Sequence, residues 1–141
     1  MGLFLCREMG RWNWYTFDMM QMYIDHLVLI VRNIKETENF YSAFLGRPEH
    51  SGDDSVVYKK GETKIFFVLP TIEFIQTDKD KSGLNHLAFG VKTADELKSL
   101  EKSLNDSGVT NSGIKIDTYG NNEFIWFDDP NGYRLEFYCR P

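Results

Sequence analysis

Ile24-Asp25-His26-Leu27-Val28-Leu29-Ile30-Val31 and Leu84-Asn85-His86-Leu87-Ala88-Phe89-Gly90-Val91 are two versions of one segment, sixty residues apart. Superposing them places His26 on His86. Both are short, apolar and rich in strand formers. Each leads into the same kind of helix start: Asn33-Ile34-Lys35-Glu36 and Thr93-Ala94-Asp95-Glu96 carry a capping residue followed three positions later by Glu. Ile34, Tyr41 and Phe44 then fall on one face of a first helix. Ala94, Leu97, Leu100 and Leu104 fall on one face of a second. Gly46 and Gly108 stand where glycine commonly stops a helix. An internal repeat of this length organises the whole chain.

After each helix come strand-like runs with turns between them. In the first half these are Ser55 to Lys59, a turn at Lys60-Gly61-Glu62, and Thr63 to Leu69. In the second half they are Gly113 to Tyr119, Glu123 to Phe127, the turn Asp128-Asp129-Pro130-Asn131-Gly132, and Tyr133 to Cys139. Each half reads β-α-β-β-β, the first with a poorly marked second strand. The fold class is therefore α+β, with modules at 22–76 and 83–139 joined by the polar link Thr77 to Gly83. The turn at Asp128–Gly132 lacks the alternating acidic ligands of a calcium loop.

Composition bounds the function. The chain has 141 residues, 42% hydrophobic and 26% charged, which suits one globular domain and excludes a disordered or fibrous chain. A net charge of −5 argues against nucleic acid or an anionic membrane as partner, since both need a clustered basic face. No apolar run approaches the ~18–20 residues of a membrane span. Two cysteines, Cys6 and Cys139, are too few for a disulfide framework, so a cytoplasmic location is expected. Residues 1–21 hold Phe4, Trp12, Trp14, Tyr15 and Phe17 without a readable period. They read as a dispensable extension, with an aromatic arm over a cleft or partner as the alternative. Leu3-Phe4-Leu5 is broken at once by Arg7 and Glu8, unlike a secretory signal.

Chemistry concentrates in three residues. The chain has only three histidines, and two share the equivalent position. A lone histidine on an apolar strand is usually a hydrogen-bonded core residue, but two at matched positions converge wherever matched strands lie side by side. Glu136 sits among bulky neighbours in Tyr133-Arg134-Leu135-Glu136-Phe137-Tyr138, a costly place for a carboxylate unless paired or metal-bound. Solvent exposure or an Arg partner is the plainer alternative. Two His and one carboxylate suit a divalent first-row ion (Mn, Fe, Co, Ni or Zn), and the residue types do not choose among them.

Asp25-His26-Leu27, Phe40-Tyr41-Ser42-Ala43-Phe44-Leu45-Gly46, Asn85-His86-Leu87-Ala88-Phe89 and Phe127-Asp128-Asp129-Pro130-Asn131-Gly132-Tyr133-Arg134-Leu135-Glu136-Phe137 resemble the vicinal oxygen chelate superfamily. That group includes glyoxalase I, bleomycin resistance proteins, fosfomycin resistance enzymes and extradiol dioxygenases. The resemblance spans Tyr23 to Cys139. It implies two βαβββ modules in an open, cupped mixed sheet with the helices outside. It places His26, His86 and Glu136 on the metal-ligand positions. The strand Lys64 to Leu69 offers no fourth ligand of the bacterial glyoxalase I kind. Val28 stands where fosfomycin transferases carry Thr, and Trp126 where they carry a substrate-contacting Tyr. Trp126, with Phe66 and Tyr119, is expected to line a substrate pocket.

The function so implied is a metal-dependent enzyme of isomerase or lyase type. It would chelate two neighbouring oxygens of a small substrate and stabilise an enediolate or oxyanion. The alternative is a non-catalytic protein that sequesters a small aromatic ligand at a dimer cleft. The resemblance also implies a homodimer, with His26 from one chain and His86 and Glu136 from the other.

Overall fold

The computed structural model describes residues 21–141. The first half runs β1 (His26–Ile30), α1 (Ile34–Leu45), β2 (His50–Ser51), β3 (Ser55–Lys60) and β4 (Thr63–Val68). The second runs β5 (His86–Val91), α2 (Ala94–Asp106), β6 (Lys115–Ile116), β7 (Glu123–Asp128) and β8 (Arg134–Cys139). Each half is a βαβββ unit, as the repeat predicts. Each folds into its own four-stranded mixed sheet, ordered β1-β4-β3-β2 and β5-β8-β7-β6. In both, the first strand pairs in parallel with the last. The α+β class and the tandem arrangement hold, and neither sheet closes.

The helix starts differ in detail from expectation. Thr93 and Glu96 form a reciprocal capping box on α2. Asn33 accepts from the Glu36 N–H, but the Glu36 carboxylate turns to the Arg32 guanidinium at 3.3 Å, so α1 has half a box. The expected strand from Gly113 to Tyr119 shrinks to Lys115–Ile116. The Asp117 carboxylate stops it by accepting the N–H groups of Tyr119 and Gly120, each at 2.7 Å, which turns the chain.

Alternation along the strands gives each sheet two faces. Leu29, Val56, Tyr58, Ile65 and Phe67 are buried against the helices in the first half, and Ile125, Phe127, Leu135 and Phe137 in the second. One aromatic seam joins the halves. Phe44 of α1 packs on Phe127 and Phe137 of the second sheet, with ring centroids 5.6 and 5.5 Å apart.

A polar pin reinforces that seam. The Tyr41 hydroxyl donates to Asp129 Oδ2 at 3.0 Å, and the backbone N–H of Arg32 donates to Asn131 Oδ1 at 2.8 Å. Asp129 Oδ1 also accepts the N–H groups of Asn131 and Tyr133, both at 2.8 Å. The turn Asp128–Gly132 is thus a docking element between halves. Burial pushes the Asp129 carboxyl above the ordinary range, while the hydrogen bonds from Asn131, Tyr133 and Tyr41 pull it back.

Candidate metal centre

The opposite faces of the two sheets carry the candidate chemistry. His26, Val28 and Ile30 point outward from β1, and His86, Ala88 and Gly90 from β5, all exposed. On β8 the same face carries Arg134, Glu136 and Tyr138. Register puts Glu136 between Ala88 on one side and Trp126 on the other.

His86 and Glu136 come together. Nε2 of His86 lies 3.7 Å from Oε2 of Glu136, whose side chain is only 14% exposed. The histidine's other nitrogen is committed. The Asn85 amide nitrogen donates to the Lys79 carbonyl at 2.7 Å, so its oxygen accepts the Nδ1–H of His86 at 2.7 Å. That leaves a lone pair on Nε2 facing a carboxylate, two acceptors with no donor between them. A proton or a cation between them relieves the opposition, and this is the donor chemistry of a divalent-ion site. His86 and Glu136 therefore supply two donors of the kind such an ion takes.

His26 repeats the pattern. Its Nδ1 donates to Asp25 Oδ2 at 2.7 Å, again through the preceding residue. Its side chain is 54% exposed, with Phe66 edge-on at 5.8 Å between ring centroids. Phe66 pairs with Val28 as Glu136 pairs with Ala88, so an aromatic ring stands where the second half has its acid. Among the described residues, no three His, Cys, Asp or Glu side chains cluster closely enough to hold a metal. Within one chain, the structure pairs His86 with Glu136 and leaves His26 apart on the other sheet.

The remaining candidates are placed as follows. Trp126 lies on β7 opposite Glu136, under the Arg134 guanidinium at 3.9 Å. Phe66 contacts His26. Tyr119 lies in the turn after Asp117 and is fully exposed. His50 opens β2, paired with Val57. Asp25 and Asn85, which orient the histidines, were the residues missed. Their signal was in the repeat itself, where both matched histidines follow an Asx residue.

A hollow of about 380 Å³ lies over the second sheet, lined by His86, Ala88, Gly90, Glu136, Tyr138 and Arg140. A larger one of about 630 Å³ opens on the helix side between the halves, around Leu27, Phe44, Leu87 and Phe137, and neither His26 nor His86 lines it. Burial, and after it the Glu136 carboxylate, raises the Tyr138 phenol above its ordinary range.

A family model for the Glyoxalase/Bleomycin resistance protein/Dioxygenase superfamily matches residues 23–137, and the chain belongs to that superfamily. Among individual proteins, it is 27% identical over 127 residues to YaeR of Escherichia coli (strain K12), covering 82% of this chain and 94% of that protein. A glyoxalase-like protein of Bacillus halodurans superposes with a TM-score of 0.74 at 23% identity, covering 89% of this chain and 98% of that one. A lactoylglutathione lyase of Agrobacterium tumefaciens superposes with a TM-score of 0.66 at 14% identity, covering 84% and 94%. These two likenesses are of fold. Among the described residues, no helix is long and apolar enough to cross a membrane.

Proposed function

We propose that this protein is a metal-dependent enzyme of isomerase or lyase type, acting on a small substrate with two adjacent oxygens. The observation that carries the reading is the His86 Nε2 lone pair facing the Glu136 carboxylate at 3.7 Å, with Nδ1 held by Asn85. His86 and Glu136 would hold the ion from one chain. His26, exposed, oriented by Asp25 and without a co-ligand among the described residues of its own chain, would supply the third donor to a second copy. Val28 and Ile30, 53% and 41% exposed beside His26, give that second copy an apolar face to cover. When bound, a divalent cation supplies Lewis acidity to two neighbouring substrate oxygens and steadies negative charge that develops there.

The chain's own residues supply the rest. Asp25 and Asn85 fix the imidazoles in the tautomer whose Nε2 is free to ligate. Tyr138 offers a phenolic hydrogen bond to an oxyanion in the hollow. Trp126 and Phe66 set aromatic rings beside Glu136 and His26.

Titration with Mn²⁺, Co²⁺, Ni²⁺ and Zn²⁺ tests the proposal. One ion per chain is expected, with binding abolished in Glu136→Ala and His86→Ala. Failure of the wild type to bind any of the four overturns the enzyme reading and leaves the sequestration of an aromatic ligand.

A further inference from the structure

The hollow over the second sheet contains a cation that no acid of the described chain satisfies. Arg140 follows β8, and its backbone N–H donates to the Val91 carbonyl at 2.7 Å, which extends the pairing with β5 by one residue. That bond fixes where the side chain starts. The stem passes Gly90, where an added Cβ would lie 4.0 Å from Arg140 Cγ. The guanidinium folds over the Tyr138 ring, 4.7 Å from its centroid. Among the described residues, no carboxylate lies within 4.0 Å of it.

The neighbouring charges are already matched. Arg134, on the same face, is held by Asp128 through two bonds of 2.5 and 3.2 Å. The Asp117 carboxylate is occupied by the N–H groups of Tyr119 and Gly120. Arg140 is therefore the guanidinium of this hollow with its donors open. It shares the hollow with His86 and Glu136. Glu136, Tyr138 and Arg140 follow one another on one face, each step ~6.6 Å along the strand.

We propose that Arg140 is a specificity-determining residue that binds an anionic oxygen group of the substrate, a carboxylate or a phosphate. This inference rests on the metal reading of His86 and Glu136. It narrows the substrate class to small acids that carry an anionic oxygen group besides their two adjacent oxygens. A guanidinium is suited to that task because its planar fork meets carboxylate or phosphate oxygens in pairs. Stacking on Tyr138 limits the freedom the side chain loses on binding.

The test uses the full chain loaded with Mn²⁺ and three probes: acetohydroxamate, 3-carboxypropanohydroxamate and phosphonoacetohydroxamate. All present the same pair of oxygens. The last two add a carboxylate or a phosphonate. Affinities are measured by calorimetry for the wild type, Arg140→Gln and Arg140→Lys. At least one anionic probe should bind the wild type about tenfold more tightly than acetohydroxamate, and the stronger one identifies the anion. Arg140→Gln should erase that gain while leaving acetohydroxamate affinity unchanged, and Arg140→Lys should keep part of it. No gain in the wild type, or an equal gain in Arg140→Gln, overturns the role of Arg140 and leaves the metal reading intact. Failure of Mn²⁺ or acetohydroxamate to bind overturns the metal reading and this inference with it.

Discussion

Removing the Tyr41 hydroxyl isolates the polar pin between the two halves. Tyr41 is fully buried, and its hydroxyl donates to Asp129 Oδ2 at 3.0 Å. The other donor to that oxygen is the longer bond from Asn131 Nδ2 at 3.2 Å. Tyr41→Phe keeps the ring packing and leaves a buried carboxylate oxygen short of a donor. A hydrogen bond to a charged group contributes ~1.5–3 kcal/mol, which lowers Tm by about 6–12 °C in a domain of this size.

The loss should depend on pH. Burial already raises the folded Asp129 carboxyl above its unfolded value, so the folded state holds its proton longer. Stability from this group is therefore greatest below the unfolded pKa and falls as pH rises through the folded one. Tyr41 opposes that rise by stabilising the carboxylate. Its removal raises the folded pKa further and adds a penalty that is full at neutral pH and shrinks as Asp129 protonates. Differential scanning calorimetry at about pH 7 and about pH 4 measures this. Tyr58→Phe, which removes a hydroxyl bonded to Ser42 and the Glu38 carbonyl and to no carboxylate among the described residues, should show no such pH dependence. An equal loss for Tyr41→Phe at both pH values, or one under about 2 °C at neutral pH, refutes the pin.

Gly132→Ala should destabilise by about 2 kcal/mol or more in urea titration, because Gly132 has φ +87° and a Cβ there would meet the Thr77 carbonyl oxygen at 2.3 Å. A chain that begins at Met22 is expected to fold with unchanged Tm and metal affinity. A Tm lower by more than about 5 °C would show that the preceding residues contribute to stability.

The sequence made the architecture legible because the duplication repeats itself in patterns that local physics sets. Matched strands, Glu-bearing helix starts and glycine stops recur at fixed offsets. The departures come from side chains competing for backbone groups or for each other. Glu36 has Arg32 at hand and leaves the Asn33 box half made, whereas Glu96 completes its own. Asp117 truncates β6 by capturing two N–H groups. The pairing of His86 with Glu136 follows from the parallel register of β5 and β8, which sets the two residues diagonally across from each other. The tautomer does not, since it depends on the Lys79 carbonyl, which reaches Asn85 only in the folded chain. The docking role of Asp129 was hidden for the same reason, because Tyr41 lies 88 positions away.

A metal site assembled from His26 of one chain and His86 with Glu136 of another can be rebuilt by complementation. His26→Ala and Glu136→Ala proteins are each expected to bind no metal. Unfolded together and refolded, they should form mixed dimers in which one of the two sites has all three ligands intact. Mn²⁺ titration of the mixture should then recover about a quarter of the wild-type sites, the share expected from random pairing of two-fold dimers. Metal binding by either variant alone, or none recovered on mixing although mixed dimers form, would contradict the shared site.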